Sequence, residues 1–503
     1  MNFSINLIMG ASKSFFKILH QVNFTRPLLS FHKFSPMTIF LKQAKKVPYS
    51  SISAARLQFG QPVYETHPHL LKPGEVTPGI TALEYSNRRS KLCSSLPDNS
   101  IVISASSSLK YRSGAVFHEF HQDPNFLYLT GFNEPEAVAV IQKVGSSTDY
   151  IFHLFVRPKD QLAEQWSGAR SGEQAAIDVF NADKSGDINN LRKLLTPLIS
   201  QASYVYTDFS KPSKFCQFLE RQDKASSEFE NLLRHSNVRP LQPLLNNLRM
   251  IKSQAEISNM YIAGQASGLA YTNAMRRKWS KEKDLKAFLD YEFQMNGCDK
   301  NAYVPVVAGG KNALSIHYVR NDDLLKDGQL ILVDAGGEYG GYITDITRSW
   351  PVNGKFTEPQ RDLYDAVLQV QRNCNSLCRE NACLSLDEIH AIAEKGLKEN
   401  LQQLGFDMSG NAIGILFPHH TGHYIGLDVH DCPGYPRSTK LKAGNCVTIE
   451  IGVYVPSDDE RWPKHFRDLG IRIEDSLCVQ DNTPLVFTTN AVKEVIDIES
   501  LRN

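Results

Sequence analysis

The residues with the clearest chemical potential are four carboxylates and one imidazole in the C-terminal half: Asp334, Asp345, His423, Glu450 and Glu474. Oxygen ligands favour hard divalent cations such as Mn²⁺, Mg²⁺ or Fe²⁺, whereas structural zinc sites are built from cysteine and histidine. Carboxylates gathered in one cleft repel one another unless cations neutralise them. The set therefore predicts two divalent ions that share bridging carboxylates and activate a water for hydrolysis.

The two aspartates flank a glycine-rich stretch. Residues 331–333 are apolar and predict a buried strand that leads into Asp334. We expect Asp345 on the return strand, so that a hairpin places the two aspartates side by side. For this stretch alone, the alternative is a pair of aspartates that cap turns. The turn is predicted at four glycines: Gly336, Gly337, Gly340 and Gly341.

A dense group of histidines follows, with four among the twelve residues 419–430 of a chain that has 15. A single histidine is more often a satisfied polar residue than a ligand. A group beside glycine and aspartate favours chemistry instead. Its members are His419, His420, His423 and His430.

Two later segments each bring one more carboxylate. Residues 447–450 predict a strand that ends at Glu450. Residues 470–475 predict an alternating strand with Arg472 and Glu474 on one face. Either segment alone is better explained by a charged residue at a solvated strand end. Their position after the aspartates and histidines favours a shared metal centre.

The order and wording of these motifs resemble the pita-bread metallopeptidases of family M24B, and within them aminopeptidase P. The resemblance covers roughly residues 60–490. The passages at 60–62 and 67–71 resemble the mitochondrial group, which includes the intermediate-cleaving aminopeptidases and Xaa-Pro aminopeptidase 3. The matching segments are Asp-Ala-Gly at 334–336, Asp-Ile-Thr at 345–347, the histidine segment at 423–431, Thr-Ile-Glu at 448–450 and the strand at 470–475.

The resemblance implies a role for each metal ligand. Asp345 would bind both ions, and Glu474 would bridge them. Asp334 would ligate one ion, while His423 and Glu450 would complete the other. Glu450 is also the candidate general base.

The resemblance further implies contacts with a peptide. His317 and His430 would bind the substrate, and His430 would stabilise the tetrahedral intermediate. His419 would line the side of the leaving residue and belongs to the catalytic set. Tyr303 falls at a substrate contact, and Arg472 would orient a carboxylate beside the substrate.

Two positions do not follow the family pattern. The family usually has proline after the glutamate at 450, and Ile451 stands there. Proline would stiffen the strand, so the change concerns local geometry and substrate preference rather than metal binding. His420 matches no role in the family.

The fold expected from this resemblance is α+β. An α/β N-terminal domain at residues 65–240 precedes a pita-bread catalytic domain at 245–490, in which helices cover a curved antiparallel sheet. In the first domain, residues 100–104, 126–129 and 137–141 predict strands, and residues 191–195 predict a helix. In the second, helices are predicted from a cap at Ser253 to Arg277, at 282–295 and at 359–378.

The composition sets outer bounds on the function. The chain has 503 residues, 42% of them hydrophobic, and a net charge of +1. That length suits two domains, and the charge gives no sign of nucleic-acid binding. Because no run of about 18 uncharged apolar residues occurs, no transmembrane helix is expected. The nine cysteines form no Cys-x-x-Cys pair, which favours reduced thiols.

The N-terminus has a different composition from the rest. The first 64 residues contain no Asp or Glu and eight Lys or Arg. A basic, serine-rich and acid-free segment is typical of a mitochondrial transit peptide, predicted here at residues 1–58 with removal near Arg56. The alternative is a disordered basic tail. A start at Met37 would give a second pool with a weaker signal.

The sequence thus predicts a mitochondrial metalloaminopeptidase, in the matrix or at the inner membrane, with Mn²⁺ as the favoured ion. It would remove one N-terminal residue from peptides or imported proteins, whose free amine would meet an acidic site. The family implies a homodimer, in which Trp166 and Arg170 line the partner's cleft or form a surface loop. The alternatives are a prolidase-type dipeptidase and a non-catalytic pita-bread binding module, which the filled ligand positions disfavour.

Overall fold

A computed structural model of the chain describes residues 58–146, 148–208 and 236–502. The predicted transit peptide, apart from Gln58, and with it Arg56 and Met37, lies outside the described residues. The described chain mixes helices and strands, with runs of each, as expected for the α+β class. The described residues form one compact unit, and the domain boundaries at 65–240 and 245–490 stay predictions.

The N-terminal part is built on a six-stranded mixed sheet of order β10-β9-β3-β6-β7-β8. The central pairs β3–β6 and β6–β7 are antiparallel, and the outer pairs are parallel. Two short hairpins, β1–β2 and β4–β5, lie outside this sheet. The elements are β1 (Glu75–Thr77), β2 (Ile80–Thr81), α1 (Ala82–Ser94), β3 (Ser100–Ala105), β4 (Tyr111–Ser113), β5 (Val116–Phe117), α2 (Pro124–Thr130), β6 (Val138–Lys143), β7 (Tyr150–Val156), α3 (Gln161–Ser167), α4 (Gly172–Asp178), β8 (Lys184–Asp187), α5 (Leu191–Gln201), β9 (Tyr204–Tyr206), β10 (Val238–Arg239) and α6 (Gln242–Arg249).

One predicted strand of this part is wrong, because residues 126–129 lie in helix α2. A short apolar run does not by itself distinguish a buried helix from a strand. The flanking residues decide: Asp123 caps the first backbone N–H groups, Pro124 stands in the first turn, and Gly131 ends the helix at φ 68°. The strands predicted at 100–104 and 137–141 and the helix at 191–195 are confirmed.

His153 on β7 gives this part a testable pH dependence. Its side chain is buried, and burial followed by the charge of Lys184 lowers its pKa to about 4. An unfolded histidine titrates near 6.5, so below that pH the unfolded chain binds more protons and stability falls as the pH drops towards 4. We expect His153→Gln to remove about 1–2 kcal/mol of this loss at pH 4.5, after solvent screening is allowed for. Thermal unfolding midpoints at pH 7.5 and 4.5 measure it.

The matched control for this prediction is His118→Gln, because His118 is exposed. The control should keep the wild-type dependence of the unfolding midpoint on pH. An equal change of the unfolding midpoint between pH 7.5 and 4.5 in wild type and His153→Gln would contradict the prediction.

The C-terminal part carries the second large sheet, of order β12-β13-β16-β18-β17 with β19 beside β18. All its pairs are antiparallel. A separate three-stranded sheet has the order β11-β14-β15. The elements are α7 (Gln254–Met275), α8 (Glu282–Met295), β11 (Lys300–Asn301), β12 (Val306–Gly309), β13 (Leu330–Asp334), β14 (Gly337–Tyr339), β15 (Tyr342–Ile343), β16 (Thr347–Pro351), α9 (Glu358–Leu377), α10 (Leu386–Gln403), α11 (Ala412–Leu416), β17 (Cys446–Tyr454), β18 (Gly470–Cys478), β19 (Leu485–Val486) and α12 (Val495–Ser500).

The three helices predicted for this part are confirmed as α7, α8 and α9. Helix α7 begins at a capping box formed by Ser253 and Glu256, and it ends at Met275, two residues before the predicted Arg277. Among the described residues no helix is long and apolar enough to cross a membrane. The eight described cysteines are free thiols, as predicted, and Cys374 and Cys378 are buried.

The hydrophobic core covers one face of the large sheet and leaves the other face free of helices. Alternate residues of β17 and β18, among them Ile449, Ile451 and Ile473, pack in one hydrophobic cluster with helices α7 to α10. Because side chains alternate along a strand, Glu450 and Glu474 face the opposite side. The helices therefore cover one face and leave the carboxylates on the other.

Candidate metal centre

Sheet register brings the carboxylates together. Asp334 pairs with Thr347, Thr347 pairs with Glu474, and Glu474 pairs with Glu450 across β13, β16, β18 and β17. In-register residues of neighbouring strands share a face, and strands lie about 4.8 Å apart. Three carboxylates are thereby placed in one row. The predicted end of a strand at Glu450 is wrong, since β17 continues to Tyr454 and Glu450 lies in its middle.

Asp345 reaches the row by another route than predicted. It lies between β15 and β16 rather than on a return strand, because β15 pairs with β14, and β14 with β11, in the separate small sheet. The tight turn is at Gly340 and Gly341, both with positive φ, and Gly337 already belongs to β14. The Oγ of Ser476 fixes Asp345, accepting from its N–H at 3.0 Å and donating to its carbonyl at 2.7 Å.

The two aspartates are still adjacent, because the hydroxyl of one tyrosine contacts both carboxylates. The hydroxyl of Tyr303 donates to Asp334 Oδ1 at 2.7 Å and also to a carboxylate oxygen of Asp345. The Tyr303 predicted to contact substrate thus lies within the carboxylate cluster itself.

His423 is attached to the same sheet through its backbone. Its carbonyl accepts from Thr448 N–H at 2.9 Å, and its N–H donates to Thr448 Oγ1 at 3.1 Å. The imidazole Nδ1 lies 3.1 Å from the carbonyl of Tyr424, so Nδ1 carries a proton and Nε2 faces the carboxylates. Nε2 lies 3.5 Å from Asp345 Oδ2 and 3.9 Å from Glu450 Oε1.

This donor set fits a divalent cation. Asp345, His423 and Glu474 offer ligand atoms that all lie within 4.8 Å of one another. Burial, followed by the charges of Asp345 and Glu450, raises the pKa of Glu474 well above its usual range. Burial likewise raises the pKa of Glu450 to about 7 and that of Asp334 to about 6. Charged carboxylates are therefore unfavourable here unless cations neutralise them.

Arg472 orients the row from its buried position on β18. Its Nη2 donates to Asp334 Oδ2 at 2.5 Å, its Nε to Thr347 Oγ1 at 3.0 Å, and its Nη1 to Tyr454 OH at 2.8 Å. The Thr347 hydroxyl in turn donates to Glu474 Oε2 at 2.7 Å. One guanidinium thus positions Asp334 directly and Glu474 through Thr347.

The other histidines surround this cluster. His419 Nε2 lies 2.9 Å from Tyr454 OH, and its Nδ1 lies 3.7 Å from Glu450 Oε2. The ring of His430 packs edge-on against that of His423, with centroids 4.4 Å apart. His430 and His317 are both exposed.

His420, which has no predicted role, lies away from the carboxylates. Its ring stacks on His390 at 4.5 Å, and its Nε2 lies 3.3 Å from Asp387 Oδ1. These contacts attach His420 to helix α10.

Ile451 points into the core, away from Glu450. The N–H groups of Thr448 and Glu450 bond outward to residues 423 and 421. By alternation, the N–H of Ile451 bonds inward to β18, and a proline there would lack this donor. The predicted effect of Ile451 on substrate preference stays a prediction.

Three residues of the site were missed from the sequence: Thr347, Tyr454 and Ser476. Thr347 begins β16, and because Asp345 lies outside a strand, spacing gives no signal for it. Tyr454 lies four positions after Glu450 on β17, and Ser476 lies two positions after Glu474 on β18. Even spacing along a strand places these two residues on the same face as the glutamates, and this signal could have found them.

Comparisons with known proteins bear on the identity of the site. The family model described as metallopeptidase family M24 matches residues 258–481, and that of the aminopeptidase P N-terminal domain matches residues 85–206. The chain is 42% identical to intermediate cleaving peptidase 55 of Saccharomyces cerevisiae over 96% of this chain and 97% of that protein. The chain belongs to metallopeptidase family M24. Human Xaa-Pro aminopeptidase 3 is 39% identical over 88% of this chain and 90% of its own.

A solved structure agrees with this membership. The crystal structure of the S. cerevisiae peptidase without its N-terminal 58 residues has a TM-score of 0.79 at 42% identity, covering 86% of this chain and 99% of that one. The predicted pita-bread fold with an N-terminal domain is confirmed. As an M24 metallopeptidase, the chain is an aminopeptidase that removes an N-terminal residue with the help of divalent metal ions.

Proposed function

We propose that this M24 aminopeptidase trims one residue from the N-termini of proteins imported into mitochondria, after their presequences have been cut, and from peptides. The observation that carries the proposal is the in-register row of Asp334, Glu474 and Glu450 with Asp345 and His423 at its side. The similarity to an intermediate cleaving peptidase supports the substrate class. The acid-free N-terminus and a relative named as mitochondrial support the location, in the matrix or at the inner membrane.

The row and Asp345 together would hold two divalent ions, with Mn²⁺ favoured by their four carboxylates. Asp345 would bind both ions and Glu474 would bridge them. Asp334 would ligate one ion, and His423 with Glu450 the other. When bound, such ions polarise the scissile carbonyl and supply a nucleophile at neutral pH.

Glu450 is the residue that would move a proton. Its carboxylate lies in the buried row, 3.9 Å from His423 Nε2, and it would take a proton from the nucleophile and give it to the leaving nitrogen. His419, 3.7 Å away, stays uncharged at neutral pH, because burial and the charge of Arg472 lower its pKa to about 3. It can therefore line the leaving side without adding a charge.

The exposed histidines would hold the peptide. His430 lies against His423 and would donate to the oxygen of the scissile carbonyl as charge develops there. His317 would position the peptide beside it, and Tyr303 and Arg472 would fix the carboxylates that face the substrate. The substrate's ammonium group would meet an acidic cluster, which favours a free N-terminus.

A metal-titrated peptidase assay on the chain from residue 58 tests the proposal. We expect Mn²⁺-dependent release of Tyr, Leu or Phe from peptides with a non-proline second residue. Release from Xaa-Pro peptides alone would reduce the function to that of an ordinary aminopeptidase P. Cleavage of Xaa-Pro dipeptides but not of longer peptides would favour the prolidase-type alternative. No release from any peptide would contradict the proposal and favour a binding module.

The proposal includes a homodimer. Trp166 on α3 is 82% exposed, and Leu162 one turn earlier is 75% exposed, so this helix presents an apolar face. A partner subunit would cover it, with Trp166 and Arg170 at the partner's cleft. Sedimentation of wild type and Trp166→Ala tests this, and a monomeric wild type would contradict it.

A further inference from the structure

Residues 424–433 form a loop that begins directly after His423, contains His430 and then comes back to its own start. The N–H of Asp431 donates to the carbonyl of Tyr424 at 2.9 Å and closes it. Its first residues are attached to β17, since Ile425 N–H bonds to the carbonyl of Cys446. The far side, with His430, lacks such an attachment to the sheet within the described residues.

The imidazole of His430 makes few contacts with other side chains. Within the described part of the chain its ring contacts the ring of His423, and no hydrogen bond to the imidazole is found. Its position therefore depends on the backbone of the loop.

A buried ionic cluster fills the inside of this loop. Asp431 accepts from Lys252 Nζ at 3.0 Å and from Arg249 Nη2, and the side chains of all three are at most 3% exposed. Arg249 also reaches Asp428 at 3.3 Å. Two cations face two carboxylates, so the cluster is balanced and needs no metal ion.

The same elements hold the loop at further points. Lys252 Nζ also donates to the carbonyl of Arg249 at 2.6 Å, which fixes the link between α6 and α7. Asn246 Nδ2 on α6 donates to the carbonyl of Pro433 at 2.9 Å. A Cβ at Gly426 would lie 2.4 Å from Asp431 Oδ2, so the carboxylate packs directly against the loop backbone.

The cluster also reaches the N-terminal part of the chain. Arg249 Nη1 donates to Asn125 Oδ1 at 2.5 Å, and Asn125 lies in α2. The segment between α6 and α7 is thus bonded to α2 through Arg249. Through Arg249 and Lys252 it is also bonded to Asp431 of the loop.

We propose that Asp431, held by Arg249 and Lys252, is a positioning residue that sets the place of His430 over the metal centre. The inference rests on the proposed role of His430. Asp431 itself touches neither the carboxylate row nor the substrate side, and it acts through the loop backbone. His423 is anchored separately to β17, so the cluster affects His430 and leaves the metal ligand in place.

A double-mutant cycle between Asp431 and His430 tests the proposal. Asp431→Asn should lower kcat by about 10–100-fold, as the loss of such supporting contacts does at other metal sites, with unchanged metal affinity. In a His430→Ala background the same change should lower kcat by less than about twofold. An equal loss in both backgrounds would overturn the proposal, as would a wild-type kcat in the folded Asp431→Asn enzyme.

Two further variants remove ambiguity. The double variant Lys252→Met/Asp431→Asn loses one charge of each sign, and it should fold, bind metal and show the same low kcat. Lys143→Met removes a buried lysine far from the loop, one that bonds to Leu96 O at 2.6 Å, and it should keep the wild-type kcat. If His430→Ala alone keeps the wild-type kcat, the proposed role of His430 fails and the inference fails with it. If His430→Ala lowers kcat and Asp431→Asn lowers it by the same further factor in both backgrounds, the inference about Asp431 fails while the proposed role of His430 stands.

Discussion

A Glu474→Gln variant is expected to lose metal binding and peptidase activity together, with kcat/KM falling by at least about a thousandfold. Metal-assisted polarisation contributes several kcal/mol to such a reaction, and each 1.36 kcal/mol is about tenfold in rate. Glu474 lies at the centre of the row, in register with Glu450 and Thr347, and its ligand atom is near those of Asp345 and His423. Metal content and steady-state rates measure the effect.

The metal-free form of the same variant should be more stable than metal-free wild type. Burial and the charges of Asp345 and Glu450 raise the pKa of Glu474 well above its usual range, so at pH 7 the unfolded chain gains more from ionisation than the folded one. A neutral amide of the same shape removes this cost, by about 1–3 kcal/mol. The stability of metal-free wild type should rise as the pH falls from 7 towards 4.5, and the variant should lack this part of the slope.

Asp345→Asn serves as the matched variant, since it also removes one central carboxylate and should lose metal and activity likewise. Full turnover in either variant after metals are stripped would contradict the metal-centred mechanism. A Glu474→Gln enzyme that binds metal normally would contradict the assignment of the row.

An Arg472→Met variant is expected to be the most destabilising single change at the site. It leaves the buried carboxylate of Asp334 without its cation and the Thr347 and Tyr454 hydroxyls without a donor. Breaking a buried ion pair by removing one partner costs about 3–5 kcal/mol. The loss should be largest in the metal-free enzyme, because bound cations compensate Asp334. Metal affinity should also fall, by about 10–100-fold.

Denaturant unfolding with and without Mn²⁺, together with metal titration, measures both effects. Arg89→Met is the matched control: Arg89 is equally buried, bonds to Leu129 O at 2.8 Å and lies in the N-terminal part. It should lose stability while the folded fraction keeps wild-type metal affinity. If Arg472→Met loses no more metal affinity than this control, Arg472 does not orient the ligands.

The sequence alone determined the chemistry of the site. The types, order and local spacing of Asp334, Asp345, His423, Glu450 and Glu474 were enough to predict a divalent metal centre. Helices α7, α8 and α9 and strand β3 followed from periodicity and caps, because those signals are local. Helix α2 did not, since a short apolar run has no period of its own.

Only the tertiary structure decided how the residues meet. The pairing of Thr347 with Glu474 joins strands more than 100 residues apart in sequence, and strand periodicity carries no information about the partner or the register. The same holds for Asp345, which the small sheet β11-β14-β15 displaces from the predicted strand. It holds for Asp431 too, whose partners Arg249 and Lys252 lie about 180 residues away. The sequence supplied the candidate ligands, and long-range packing set their geometry, because burial and register depend on segments that only the folded chain brings into contact.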